Sequence, residues 1–153
     1  FGLQGLNVFD LEHRRFYVIG REPGPGQLRK PIHVFVDEAG FKYVADLQRR
    51  QVVVYGPDDA FVRTYGDGSS FVPVACAAHG KEVFVFDIAK DKLNPEEPGA
   101  APEEVEEVRR DQVLVLDKET GKPLRRIGRH GSDHEGFAFA GFMTVDRLGN
   151  LYI

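Results

Sequence analysis

Cys76 is the only cysteine in 153 residues. Its isolation excludes an intrachain disulfide and a cysteine-rich metal site, and it leaves the redox compartment open. No apolar run approaches the roughly 20 residues that a membrane-spanning helix requires, and no opening stretch has the build of a secretory signal. The chain begins at Phe1 rather than at a methionine, so its true start is expected elsewhere. A basic excess is also missing. The formal charge is −4, against the cationic footprint that displaces counterions from nucleic acid. No serine sits in a nucleophile elbow, and no acid–base pair stands out. The glycine clusters Gly24-Pro25-Gly26 and Gly66-Asp67-Gly68 lie between strands, without the strand-to-helix setting that phosphate cradles need.

What is present is one pattern written repeatedly. Ile32 to Asp37, Phe41 to Asp46, Gln51 to Tyr55 and Phe61 to Tyr65 are four short apolar, partly alternating segments separated by turn residues. Pro73 to Asp87, Gln112 to Asp117 and Leu124 to Gly128 repeat the series, Ala140 to Ile153 begins it again, and Leu6 to Gly20 is its tail. The spacing Gly20 to Gly66 is 46 residues and Gly66 to Gly128 is 62. An insertion, Ile88 to Arg110, accounts for the difference and restores a period in the low forties, the size of a four-stranded propeller blade. With 42% apolar residues the chain has material for a core. The expectation is an all-β chain holding part of a β-propeller of four-stranded antiparallel blades. Residues 1–20 supply strands c and d of one blade, 31–66 and 73–128 are full blades with the insertion at 88–110, and 140–153 supply strands a and b of the next.

Gly26-Gln27-Leu28-x-x-Pro31 followed by Val36-Asp37-x-x-Gly40-x-x-Tyr43-Val44-Ala45-Asp46 resembles the NHL repeat, as does Val145-Asp146-x-x-Gly149-Asn150-Leu151-Tyr152-Ile153. The resemblance covers nearly the whole chain outside the insertion and implies a six-bladed propeller. This chain departs from it at Arg49, Gln51 and Gln112, where the family often carries asparagine then arginine, and at Ala140 in place of proline. The missing blades come from further sequence or from a second copy, and the ragged ends favour further sequence. Similar stand-alone repeat proteins of bacteria are often exported, so the resemblance implies an extracytoplasmic location, with a cytoplasmic one as the alternative.

In a propeller the b–c and d–a connections share one face, and the unusual loops fall there. Arg49, Arg50, Asp67, Glu103, Glu106, Arg109, His130 and His134 are the partner-binding candidates. The insertion carries seven acidic and four basic residues. Its first half reads as extended, and Pro102 to Arg110 has proline, acids and arginines in the order that favours one or two helical turns. The functional reading is a partner-contacting lid, and the bland one is a solvated excursion. His130 and His134 would share a side of a helix, but Gly131 and Gly136 make their segment a loop, so no metal site is expected. His33 on innermost strand a lines the channel, yet its equivalents are Ala75 and Phe142, which cannot ligate a metal. Asp37, Asp46, Asp87 and Asp146 recur at strand ends, where a carboxylate accepts backbone N–H bonds from the next turn.

The residues call for no cofactor. They favour a non-enzymatic scaffold that binds a protein or other macromolecule, with no nucleic acid and no membrane span. The alternative is a metal-dependent lyase or lactonase-like hydrolase with its site in the channel of the complete ring.

Overall fold

A computed structural model describes residues 4–92, 107–138 and 140–153. β1 (Leu6–Asp10) and β2 (Arg15–Ile19) form an antiparallel hairpin. β3 (Pro31–Val36), β4 (Lys42–Asp46), β5 (Gln51–Tyr55) and β6 (Phe61–Tyr65) form a four-stranded antiparallel sheet in chain order. β7 (Pro73–His79) and β8 (Glu82–Asp87) open a second sheet, and β9 (Lys90–Lys92) and β10 (Glu107–Arg109) form a small hairpin at its end. β11 (Gln112–Asp117) and β12 (Pro123–Ile127) complete the second sheet in the order β7-β8-β11-β12. β13 (Arg129–His130) bridges β14 (Gly136–Phe137) in parallel, and β15 (Thr144–Val145) pairs β16 (Leu151–Tyr152) in a final antiparallel hairpin. Among the described residues there is no helix.

The insertion departs from expectation. Glu107 to Arg109 is extended, not helical, and pairs with Lys90 to Lys92. Helical signals at 102–110 are local, whereas Arg109 finds Lys90 as its cross-strand partner, and Lys90 forms an ion pair with Glu107 at 3.1 Å. Residues 93–106, including Glu103 and Glu106, lie outside the described residues.

The sheets stack because their middle strands are apolar on both faces. In β5, Val52 and Val54 point toward the second sheet and meet Cys76, Ala78, Val83 and Val85. Val53 and Tyr55 point the other way and meet Leu6 and Val8 of the first hairpin. The second sheet repeats the arrangement. Leu114 and Leu116 face back, while Val113, Val115 and Phe86 face forward onto Met143, Val145 and Leu151. The order is therefore hairpin, sheet, sheet, hairpin. Each fully buried valine or phenylalanine contributes roughly 1.5–3 kcal/mol relative to exposure.

Carboxylates fix the strand ends. Asp37 accepts from the N–H groups of Ala39 and Phe41, and Asp146 accepts from Leu148 and Asn150 in the same turn. Tyr43 and Tyr152 donate their hydroxyls to these same aspartates. Gly40 and Gly149 take φ of +86° and +87°, the left-handed region the turn demands. Deeper, Asp46 is fully buried and accepts from Arg29 N at 2.6 Å, Lys30 N at 3.0 Å and Arg49 N at 3.0 Å. Asp87 holds Val72 N and Ala89 N at 2.9 Å in the second sheet.

Asp46→Ala leaves those three donors without an acceptor in a closed site. We expect a loss of roughly 2–4 kcal/mol in urea-unfolding free energy. A change below about 0.5 kcal/mol, the range of an ordinary surface substitution, would contradict the assigned role.

Candidate functional site

The connections that leave β2, β4, β6, β8 and β12 gather at one end of the stack and touch in sequence. Arg49 Nη1 donates to the carbonyls of Pro25 at 2.9 Å and Gln27 at 2.5 Å, while Gln51 Nε2 donates to that of Gly66 at 3.0 Å. At Gly66, φ is +91°, and a Cβ would lie 2.7 Å from Phe71, so the close approach needs glycine. Arg49 and Gln51 thus tie one connection to the next.

The equivalent position in the second sheet is Arg110, which does more. Its Nη1 donates to the Ser70 carbonyl at 3.0 Å and to buried Asp87 at 3.1 Å. Its Nε and Nη2 fork onto Asp91 of β9 at 2.9 and 2.7 Å. One guanidinium therefore clamps the base of the excursion to the second sheet and to the β6–β7 connection. Such planar, charge-assisted pairing is geometrically specific. Bonding to Arg110 holds the Asp91 carboxyl below its ordinary range, and Asp91 in turn raises the arginine.

Beside the clamp lies Asp111, fully buried at a left-handed φ of +37°. Arg109 forks onto its Oδ1 at 3.1 and 2.8 Å, and His130 Nδ1 lies 2.5 Å from its Oδ2. The carboxylate fixes the orientation of the imidazole, whose side chain is about half exposed. The clamp and this Arg109–Asp111–His130 group are the polar centre of the loop end. The fold brings Arg109 and His130 together through an aspartate that sequence reasoning did not single out. A short-sequence signal for it exists only in retrospect: an acid before Gln112 where the earlier repeat has an arginine before Gln51.

The other candidates stand apart from that group. Arg49 is committed to carbonyls. Arg50 adopts a φ of +55°, and its buried Nε finds no partner. Asp67 turns inward on its own loop, accepting from the N–H and hydroxyl groups of Ser69 and Ser70, which depress its pKa strongly. His134 is 90% exposed, and its Nε2 lies 3.8 Å from Glu135. His33 is half-buried between the sheets, where its Nδ1 accepts the Cys76 N–H at 3.4 Å. Burial lowers its pKa, with the Met143 backbone opposing. Its ring faces Phe142 at 6.2 Å. Among the described residues, no three His, Cys, Asp or Glu side chains gather as a metal site.

At the opposite end, a cleft of about 450 Å³ opens between the β3–β4 and β7–β8 turns, lined in part by Asp37, His79, Lys118, Asp146 and Arg147. Sequence reasoning did not anticipate it, because its walls come from three separate repeats. No family model and no curated protein matches this chain.

The clamp has a titration consequence. The folded carboxyl of Asp91 lies below its unfolded value, so its bond to Arg110 is in place above that value and is lost as pH falls through the folded one. In Arg110→Gln the Asp91 titration, followed by NMR, should rise toward the ordinary carboxylate range. Amide exchange at Val108 should quicken as the β9–β10 stem loosens. An unmoved Asp91 titration would rule the clamp out.

Proposed function

We propose that the chain is a non-enzymatic scaffold of the β-propeller kind that offers its loop end, through the excursion between β9 and β10, to a protein partner. The observation that carries this reading is the Arg110 clamp. A surface excursion of no consequence needs no fixed base. This one has a paired stem, an ion pair between Lys90 and Glu107, and a guanidinium joining it to Asp87, Asp91 and Ser70. Holding a binding segment at its root lowers the ordering entropy lost on association. Beside the stem, Arg109 and His130 are set by a buried carboxylate and keep partly exposed side chains. Arginine and histidine side chains at a rigid rim supply directional contacts to a macromolecule.

The propeller reading draws support from recurrence. Two meander sheets stack face to face, and the same aspartate turn closes β3–β4 and β15–β16. Recurrence also argues against reading the aspartates as a catalytic set, since their lone pairs are occupied by backbone N–H groups in each repeat.

The test replaces residues 93–106 with a two-residue Asn-Gly turn and keeps β9, β10 and Arg110 intact. We expect an unchanged melting temperature and loss of the partners that the parent chain retains by crosslinking and pull-down. Unchanged partner recovery would remove the excursion from the binding surface.

A further inference from the structure

The two full sheets share a backbone plan at the loop end and differ at two positions that meet in space. Arg50 and Asp111 occupy the same bend, and Gly68 and His130 each lie two residues beyond the glycines that close their sheets, Gly66 and Gly128. In the second sheet both positions change together: aspartate stands for arginine, and histidine for glycine. The two new side chains bond each other across 19 residues, Asp111 Oδ2 lying 2.5 Å from His130 Nδ1, while Oδ1 takes the fork of Arg109. The first sheet keeps the same bend without either of them.

The atoms this group leaves unbonded decide what it can hold. A carboxylate only accepts, so Nδ1 of His130 carries the proton and Nε2 is the ring nitrogen left for another molecule. Arg109 spends Nε and Nη2 on Asp111, and among the described residues its Nη1 makes no bond. A guanidinium has five donors in one plane, so its Nη1–Nη2 edge can take a second planar oxyanion. Arg109 and His130 are 40% and 45% exposed, whereas the carboxylate that sets them is fully buried.

The charges around the group are already answered. Arg110 pairs with Asp87 and Asp91, Lys90 with Glu107, and Arg129 with Asp133. Among these loop-end groups, two basic side chains share one carboxylate only at Asp111. With the imidazole charged, the group carries a single net positive charge.

We propose that Arg109 and His130 together bind a side-chain carboxylate from an acidic segment of the protein partner, with Asp111 as the positioning residue that sets both donors. Arg109 supplies its Nη1–Nη2 edge, and the charged imidazole adds Nε2–H. A carboxylate is planar and carries one charge, which matches both the fork and the net charge of the group. A phosphate dianion exceeds that charge beside a buried aspartate. Partly exposed donors on a rim suit a side chain carried by a wider interface, since a small molecule needs enclosure. The inference rests on the loop end being a binding surface, and it names the chemistry which that surface reads.

The probe is capped hexaglutamate, titrated into the full chain at about pH 6, where an ordinary histidine is largely charged. Capped hexaglutamine is the control. NMR follows the ring nitrogens of His130 and the side-chain N–H of Arg109. Saturable shifts of the His130 Nε2 and Arg109 signals are expected with hexaglutamate and not with hexaglutamine. Arg109→Lys keeps a cation for Asp111 but lacks the fork, and His130→Gln keeps an amide donor. Each should weaken hexaglutamate binding by roughly tenfold, with the remaining amide spectrum unchanged. In Asp111→Asn the His130 Nδ1–H signal should lose the downfield position that a carboxylate acceptor gives, and affinity should fall with it. Silent Arg109 and His130 signals, or equal shifts with hexaglutamine, overturn the inference. Tighter binding by a phosphoserine peptide of equal charge overturns it also. Hexaglutamate binding that persists after residues 93–106 are replaced by Asn-Gly supports the inference independently of the excursion. Silent signals alongside excursion-dependent partner recovery overturn the carboxylate inference and leave the scaffold reading in place.

Discussion

Burial of both faces of the middle strands governs this molecule. Val44, Val52 to Tyr55, Val83 to Phe86 and Val113 to Leu116 are almost wholly withdrawn from solvent, and alternate residues go to opposite neighbours. A sheet built this way cannot stand alone with one side wet, as an antiparallel sheet of alternating polarity can. Each sheet needs a cover before and behind. A one-residue slip would exchange the two faces and put Tyr43 and Val52, which meet the second sheet, against the first hairpin instead. Register and stacking are consequently the same constraint, and every loop position inherits from it.

The strand ends carry the polar side of that constraint. Connections that enter and leave a buried sheet bring backbone N–H groups into places where water cannot serve them. Asp46 and Asp87 answer this at the loop end, each gathering donors from the connection that enters its sheet and from the one that follows its strand. A buried carboxylate is costly unless fully bonded, and here it is bonded. The result is a stiff platform. Arg110 exploits it, since its bond to Asp87 adds a charge partner to a carboxylate already held in place. The excursion is rigid at its root because the platform is.

How much of this the sequence displays depends on the span of each interaction. The all-β architecture with four-stranded antiparallel sheets is legible because strand pairs are near neighbours and their turns carry Gly, Asp and Pro. The aspartate turns are legible for the same reason, since Asp37 and Asp146 find their hydrogen-bond donors within six residues. The clamp is not, because Arg110 reaches partners 19, 23 and 40 residues away. Nor is the link between Asp111 and His130, separated by 19. The helix expected at 102–110 fails at its described end by the same logic. Acid and arginine placement is a local signal, and the pairing of Val108 with Asp91 overrides it.

Comparing repeats separates what the fold requires from what one copy adds. Arg49-Arg50-Gln51 and Arg110-Asp111-Gln112 occupy the same bend, and both middle residues take a left-handed φ, +55° and +37°. The bend is therefore structural, and the first arginine in each braces a connection. Aspartate accepts the left-handed region more readily than arginine, yet ease of backbone does not account for what surrounds Asp111. Its carboxylate is fully buried and bonded to Arg109 and His130, while Arg50 at the same place bonds nothing through its Nε. The bend forms at Arg50 without an acceptor for that nitrogen, so it does not of itself require the bonded carboxylate found at Asp111. That asymmetry, next to the stem of β9 and β10, is what distinguishes the second sheet from the first.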